Sequence, residues 1–181
     1  SLRKVDSPFQ GHPDRCRMSC LEASTGSLGQ GLSIAVGYAL ASRLENNAFR
    51  VYCLIGDGES QEGQIWEAAL SAAKYRLDNL VCILDYNKAQ IDGYVSDVMP
   101  LEPIADKWVA FGWHVIKVDG HNFSQLIDAF HEASRTKGKP TFILADTVKG
   151  KGVSFMEGKV DWHGVAPNAE QAAAALKELG E

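Results

Sequence analysis

The chain has 181 residues, 45% of them hydrophobic and 23% charged, enough to bury one core, and it reads as a single domain of a protein or of a larger one. Its net charge of -5 leaves no basic stripe to neutralise a nucleic-acid backbone, and no apolar run approaches the ~18 residues of a membrane span. No basic-then-apolar leader is visible, so the expectation is a cytoplasmic protein with neither nucleic-acid nor membrane partners.

Residues 1–25 are polar and broken by Pro8, Gly11 and Pro13, and no regular element is predicted there. The next stretch, STGSLGQGLSIAVGYALASRLE, carries Leu28, Leu32, Ala35, Val36, Ala39 and Leu40 at helical spacing, with Ser24, Thr25 and Ser27 as candidate caps. Gly26, Gly29, Gly31 and Gly37 cost that helix about 1 kcal/mol each against Ala. Two returns offset this: close approach of the backbone to a ligand, or tight helix packing.

A buried strand over 50–55 and a helix over 64–75 follow, the helix placing Ile65, Ala68, Ala69 and Ala72 on one face. A second buried strand covers 79–85, and a long polar loop runs from there to Pro100. Further alternation predicts helix 104–111, strand 113–118, helix 123–135, strand 141–145, a loop over 149–168 and a closing helix over 169–179. Strands and helices alternating through short connections predict an α/β fold, a three-layer α/β/α sandwich around a mostly parallel sheet.

Cys53 and Cys82 fall inside predicted buried strands, where cysteine acts as a small hydrophobe. His12, Cys16 and Cys20 are evenly spaced, but without the CxxC knuckle of a structural zinc site they read as ordinary groups.

The chemistry concentrates between Arg50 and Gly93. The turn Gly56-Asp57-Gly58 ends one apolar strand and Asn87 follows the next, so a parallel sheet brings a carboxylate and an amide oxygen to one carboxyl edge. That donor set suits a hard cation, Mg²⁺ or Ca²⁺, beside a phosphorylated ligand. Asp57, Glu59 and Glu62 crowd one short turn, and their mutual repulsion asks for a cation or a shared proton. Alone, a Gly-Asp-Gly turn also serves merely to reverse a chain.

Gly-Asp-Gly followed at this interval by Asn resembles the thiamine diphosphate fold's cofactor signature. GHPD from Gly11, STGSLGQGLSIAVG from Ser24, GDGESQEGQIWEAA from Gly56 and DYNKAQIDG from Asp85 narrow this to the diphosphate-binding domain of transketolase, a resemblance over essentially the whole of 1–181. It implies that Asp57, Asn87 and the carbonyl of Ala89 bind Mg²⁺ (or Ca²⁺), that Gly58 donates to the diphosphate, and that Gly26 and Leu28 line thiamine diphosphate. It further implies that Glu62 joins a glutamate network across a dimer interface, and that His12 contacts substrate. The implied activity is transfer of a two-carbon ketol unit from a ketose phosphate to an aldose phosphate.

Departures from the family matter. Where many relatives carry a second histidine this chain has Val160, leaving His163 as a site candidate or a plain surface histidine. The family's first segment, its pyrimidine-binding domain and its C-terminal domain lie outside these residues, which hold half a site. The expectation is the N-terminal subunit of a split transketolase, inactive alone, that joins a transketolase C-terminal subunit in a dimer of heterodimers. Two alternatives stay open: another ketol-transferring enzyme such as deoxyxylulose phosphate synthase, and a non-catalytic assembly module of the same fold.

Overall fold

The structure is a computed structural model describing residues 3–180, and its first regular element is helix α1 (Gln30–Leu44). Strand β1 (Val51–Gly56), helix α2 (Gly63–Lys74) and strand β2 (Leu80–Tyr86) follow. A small hairpin of β3 (Ala89–Gln90) and β4 (Gly93–Tyr94) leads to the short helices α3 (Val95–Val98) and α4 (Ile104–Ala110). Strand β5 (His114–Asp119), helix α5 (Phe123–Arg135), strand β6 (Thr141–Asp146) and helix α6 (Ala169–Leu179) complete the order.

The four long strands form one parallel sheet in the order β1-β2-β6-β5. Val51 sits beside Leu80 and Gly56 beside Asp85; Tyr86 and Asp119 both pair with Asp146. Every strand therefore ends at the same edge, and the residues just beyond are the ones that can meet a ligand.

Helices α1, α2 and α4 cover one face. Leu32, Ala35 and Ala39 of α1 and Ile65, Ala69 and Ala72 of α2 pack with Cys53, Ile55, Cys82 and Leu84 of the strands, small side chains letting the helices lie close. Trp108 of α4 is fully buried, stacked on Phe142 at 4.1 Å and edge-on to Trp113 at 4.8 Å. On the other face α5 buries Ala129 and Ala133 against Val81, Val118, Ile143 and Ala145. The α/β/α layering and parallel sheet are those expected. The cover from α5 thins out over β1, where Tyr52 and Leu54 are 52% and 69% exposed.

Two expectations need correction. Ser24, Thr25 and Ser27 do not cap α1: the helix begins at Gln30, its N-cap is Gly29 at φ 84, and no side chain of its own closes that end. Left-handed backbone at Gly26 (φ 137) and Gly29 carries the chain through a loop in which Leu28 is 54% exposed instead of lying on the helix. The stretch between Asn87 and Pro100 is not one long loop, since it folds into β3, β4 and α3. These elements span two to four residues, too few for a hydrophobic period to register.

Candidate functional site

Asp57 stands at the carboxyl end of β1, 1% exposed. Its Oδ1 accepts the Gly58 N–H at 2.8 Å and its Oδ2 accepts the Lys88 N–H. Lys88 holds a left-handed backbone, φ 68, which turns its amide back onto the carboxylate. Burial, with a smaller push from Asp85, raises the Asp57 pKa above its ordinary value, against the opposing pull of those two amides and of Lys149. Among the described residues no salt bridge forms to Asp57. A buried carboxylate so placed is short of positive charge.

Asn87 follows β2. Its Nδ2 donates to Asp85 Oδ2 at 3.0 Å, and its Oδ1 accepts the Ala89 N–H at 3.1 Å. Asp85 Oδ1 accepts the Thr147 hydroxyl, tying this loop to the one beyond β6. Ala89 is buried in the β3–β4 hairpin, which packs so closely on the glycine turn that a Cβ at Gly58 would lie 2.6 Å from Gln90 Cβ. The donors are one carboxylate, one amide oxygen and backbone. Among the described residues no three His, Cys, Asp or Glu side chains converge in the manner of a softer metal site. Residues at this edge fit a hard divalent cation, whose charge would settle the Asp57 carboxylate.

The three acids of the turn are not pooled. Glu59 is occupied by two backbone amides, accepting from Gly29 N–H at 2.9 Å and Gly56 N–H at 3.1 Å. Glu62 is exposed and does not share in that arrangement. Only Asp57 calls for a cation, so the expected repulsion among three carboxylates reduces to the burial of one.

His12 is exposed, and its ring lies flush on the glycine loop: a Cβ at Gly26 would fall 2.6 Å from His12 Cγ. The Thr25 N–H to Pro13 carbonyl bond at 3.2 Å holds the two loops together. His163 follows the single turn of 3₁₀ helix at Val160–Trp162. Partial burial and then the Lys149 ammonium lower its pKa, while Asp57 pulls it upward. Cys16 and Cys20 are free and exposed; Cys53 and Cys82 are free and buried, and burial pushes the Cys53 thiol up to about 12.

Asp85, Lys88, Thr147 and Lys149 were not among the candidates read from the sequence. Thr147 and Lys149 had a readable signal, because they follow a third strand ending at the same edge. Lys88 did not, since its part is played by the backbone.

A family profile described as transketolase, thiamine diphosphate binding domain, matches residues 1–181. The chain belongs to the transketolase family. It is 49% identical over 179 residues to a 6-deoxy-6-sulfo-D-fructose transketolase subunit of Clostridium sp. (strain MSTE9), covering 99% of this chain and 65% of that protein. It is 42% identical over 181 residues to an apulose-4-phosphate transketolase subunit of Phocaeicola vulgatus, covering 100% of this chain and 64% of the relative. The chain thus spans just under two thirds of the length of these relatives. Among solved structures, transketolase from Campylobacter jejuni superposes with a TM-score of 0.91 at 33% identity, over 99% of this chain and 29% of that one. Transketolase from Leishmania mexicana superposes at 0.90 and 35% identity, over 99% and 28% respectively. The transketolase fold accounts for the parallel sheet and its cover of helices. Among the described residues no helix is long and apolar enough to cross a membrane.

Proposed function

We propose that residues 1–181 are the diphosphate-binding domain of a transketolase that transfers a two-carbon ketol unit between sugar phosphates. The observation that carries this is Asp57, a buried carboxylate without an ion-pair partner among the described residues, at the edge it shares with Asn87, in a chain matched end to end by a thiamine diphosphate-binding domain. Asp57, Asn87 and the Ala89 carbonyl hold Mg²⁺ (or Ca²⁺), through which an acidic protein holds a diphosphate. The Gly58 amide, which donates to Asp57 Oδ1 at 2.8 Å here, reaches the diphosphate by exchanging that partner once a cation occupies the carboxylate, and the loop bearing Gly26 and Leu28 lines the cofactor.

Thiamine diphosphate supplies the electron sink for breaking and remaking the carbon–carbon bond. The chain's own residues place and protonate. His12, against Gly26, bonds a substrate hydroxyl, and His163, exposed on the loop after β6, is the second imidazole open to proton transfer. Glu62, exposed on its turn, is open to a glutamate network across a dimer interface.

The names of the relatives support a divided enzyme, since several are subunits. The other half, a pyrimidine-binding subunit, closes the pocket in a dimer of heterodimers in the cytoplasm. One relative is named for a sulfonated fructose and two for apulose 4-phosphate, so the donor here belongs to the same class of anionic ketoses.

The test mixes the chain with its pyrimidine-domain partner and titrates thiamine diphosphate with Mg²⁺ calorimetrically, with Asp57→Ala as control, while ketol transfer is assayed for the mixture and for either component by itself. Binding and transfer by the mixture alone, both lost in Asp57→Ala, are expected. Transfer by the isolated chain overturns the divided enzyme, and absence of binding by the complex makes the domain a non-catalytic assembly module.

A further inference from the structure

Helix α1 begins without a cap of its own: its N-cap is Gly29, and the third helical position, where a capping-box glutamate reaches back to the N-cap amide, is Leu32. The Gly29 N–H is taken instead by Glu59, a residue on another segment, at 2.9 Å. The second oxygen of the same carboxylate takes the Gly56 N–H at 3.1 Å. One side chain thus joins the start of α1 to the end of β1, its negative charge lying at the positive end of the helix dipole.

Gly56 adjoins Asp57, and Gly29 adjoins Leu28, three residues on from Gly26. Two left-handed glycines shape the intervening loop, whose backbone ties are the Thr25 N–H to the Pro13 carbonyl at 3.2 Å and the Gln30 N–H to the Ser27 carbonyl at 3.3 Å, neither of which reaches the turn at Asp57. Gln64 adds side-chain ties at 3.0 Å to Gln30 and to Ser33, but these grip the helix itself and not the loop before it. The turn that carries Glu59 is braced at its neighbours: Ser60 N–H donates to the Asp57 carbonyl at 3.0 Å and the Ser60 hydroxyl to the Gly56 carbonyl at 3.1 Å, while Glu62 lies against the glycine loop, since a Cβ at Gly29 would meet Glu62 Cβ at 3.2 Å.

We infer that Glu59 is a positioning residue that sets the spacing between the metal-bearing turn and the glycine loop, so that both grip one diphosphate cofactor at once; this rests on the thiamine diphosphate reading of the site. It touches neither metal nor substrate. Its effect falls on how well a preformed cradle receives the cofactor, not on the bond changes that follow.

Glu59→Gln is the informative variant. It keeps size and shape but turns one acceptor into a donor, which then opposes one of the two N–H groups. Two measurements on the chain with its partner subunit read the result. Hydrogen exchange, without cofactor, is expected to quicken in peptides covering residues 24–32 and to stay unchanged in those covering 80–86. Thiamine diphosphate at fixed Mg²⁺ is expected to bind about tenfold or more weakly, with KM for the cofactor raised and kcat at saturation held within about twofold. Glu59→Asp, too short to span both amides, should fall between. Unchanged exchange at 24–32 overturns the inference, as does an equal loss of kcat with no change in cofactor affinity. If wild-type complex binds no cofactor, the reading of the site fails, and the exchange experiment still decides whether the clamp exists.

Discussion

Asn87 cannot turn its amide over, because Nδ2 donates to Asp85 Oδ2 at 3.0 Å and a carboxylate accepts only. The Thr147 hydroxyl holds the other Asp85 oxygen, so the orientation of a proposed metal ligand is set by two residues outside the proposed coordination sphere. Asp85→Ala frees the amide and removes a negative charge close to the cation. Mg²⁺ affinity is expected to fall about 10- to 100-fold, read as the Mg²⁺ concentration needed for half-maximal cofactor binding by the complex. Thr147→Val, which leaves Asp85 in place with one partner fewer, should cost less. Equal affinity in Asp85→Ala and wild type would falsify the orienting role.

Asp57 links metal binding to pH. Burial raises its folded-state pKa above the unfolded value, so the stability it contributes to the metal-free chain is fully present below the unfolded pKa and is lost as pH rises through the folded one. As the carboxyl ionises, the metal-free protein takes on that loss, and a divalent cation that favours the ionised form restores it. Thermal melts with and without Mg²⁺, between about pH 4 and pH 7, should show a metal-induced rise in Tm that is greatest near neutrality and shrinks toward acid as protons compete for the carboxylate. In Asp57→Asn the rise should be absent at every pH. An equal rise in that variant assigns the cation to another place.

The sheet and its edge were legible because each long strand is an uninterrupted apolar run ending in a polar or glycine turn. The strand expected over 50–55 is Val51–Gly56, shifted by one because its end is set by the ladder to Asp85, a partner that local sequence does not contain. Asp57, Asn87 and their common edge followed from the parallel order. The start of α1 did not, since Ser24, Thr25 and Ser27 look like caps while the group that closes the helix is Glu59, distant in the chain. Likewise Glu59 and Glu62 carry the same charge three positions apart, yet one is consumed by backbone amides and the other is exposed. Only the fold separates them, because the distinction lies in which N–H groups come within reach.

His163 reports on the charges around it. Its pKa is lowered by partial burial and Lys149 and raised by Asp57, so the two substitutions should move it in opposite directions. Lys149→Gln is expected to shift the imidazole titration upward toward the ordinary histidine range, and Asp57→Asn to shift it downward. Imidazole resonances followed by NMR through a pH titration of the metal-free chain give both signs in one series. A titration that ignores both substitutions places His163 away from the site, as a surface histidine of the loop after β6.

Gly120, between β5 and α5, is sterically coupled to the site. A Cβ there would lie inside van der Waals contact of Thr147 Cγ2 and 3.1 Å from both Ala145 Cβ and the Asp146 carbonyl oxygen. Thr147 is the residue whose hydroxyl holds Asp85, which in turn holds Asn87. Gly120→Ala should therefore displace Thr147, destabilise the fold by about 1–3 kcal/mol and weaken Mg²⁺-dependent cofactor binding, although no atom of Gly120 lies in the proposed coordination sphere. Thr147→Ser removes the obstructing methyl and keeps the hydroxyl, so the double variant should regain much of the binding that Gly120→Ala loses. Chemical denaturation and cofactor titration across the four proteins of this double-mutant cycle separate strain from loss of the hydrogen bond. If the two effects simply add, Gly120 and Thr147 act independently and the path through Asp85 to Asn87 is not the one that carries the strain.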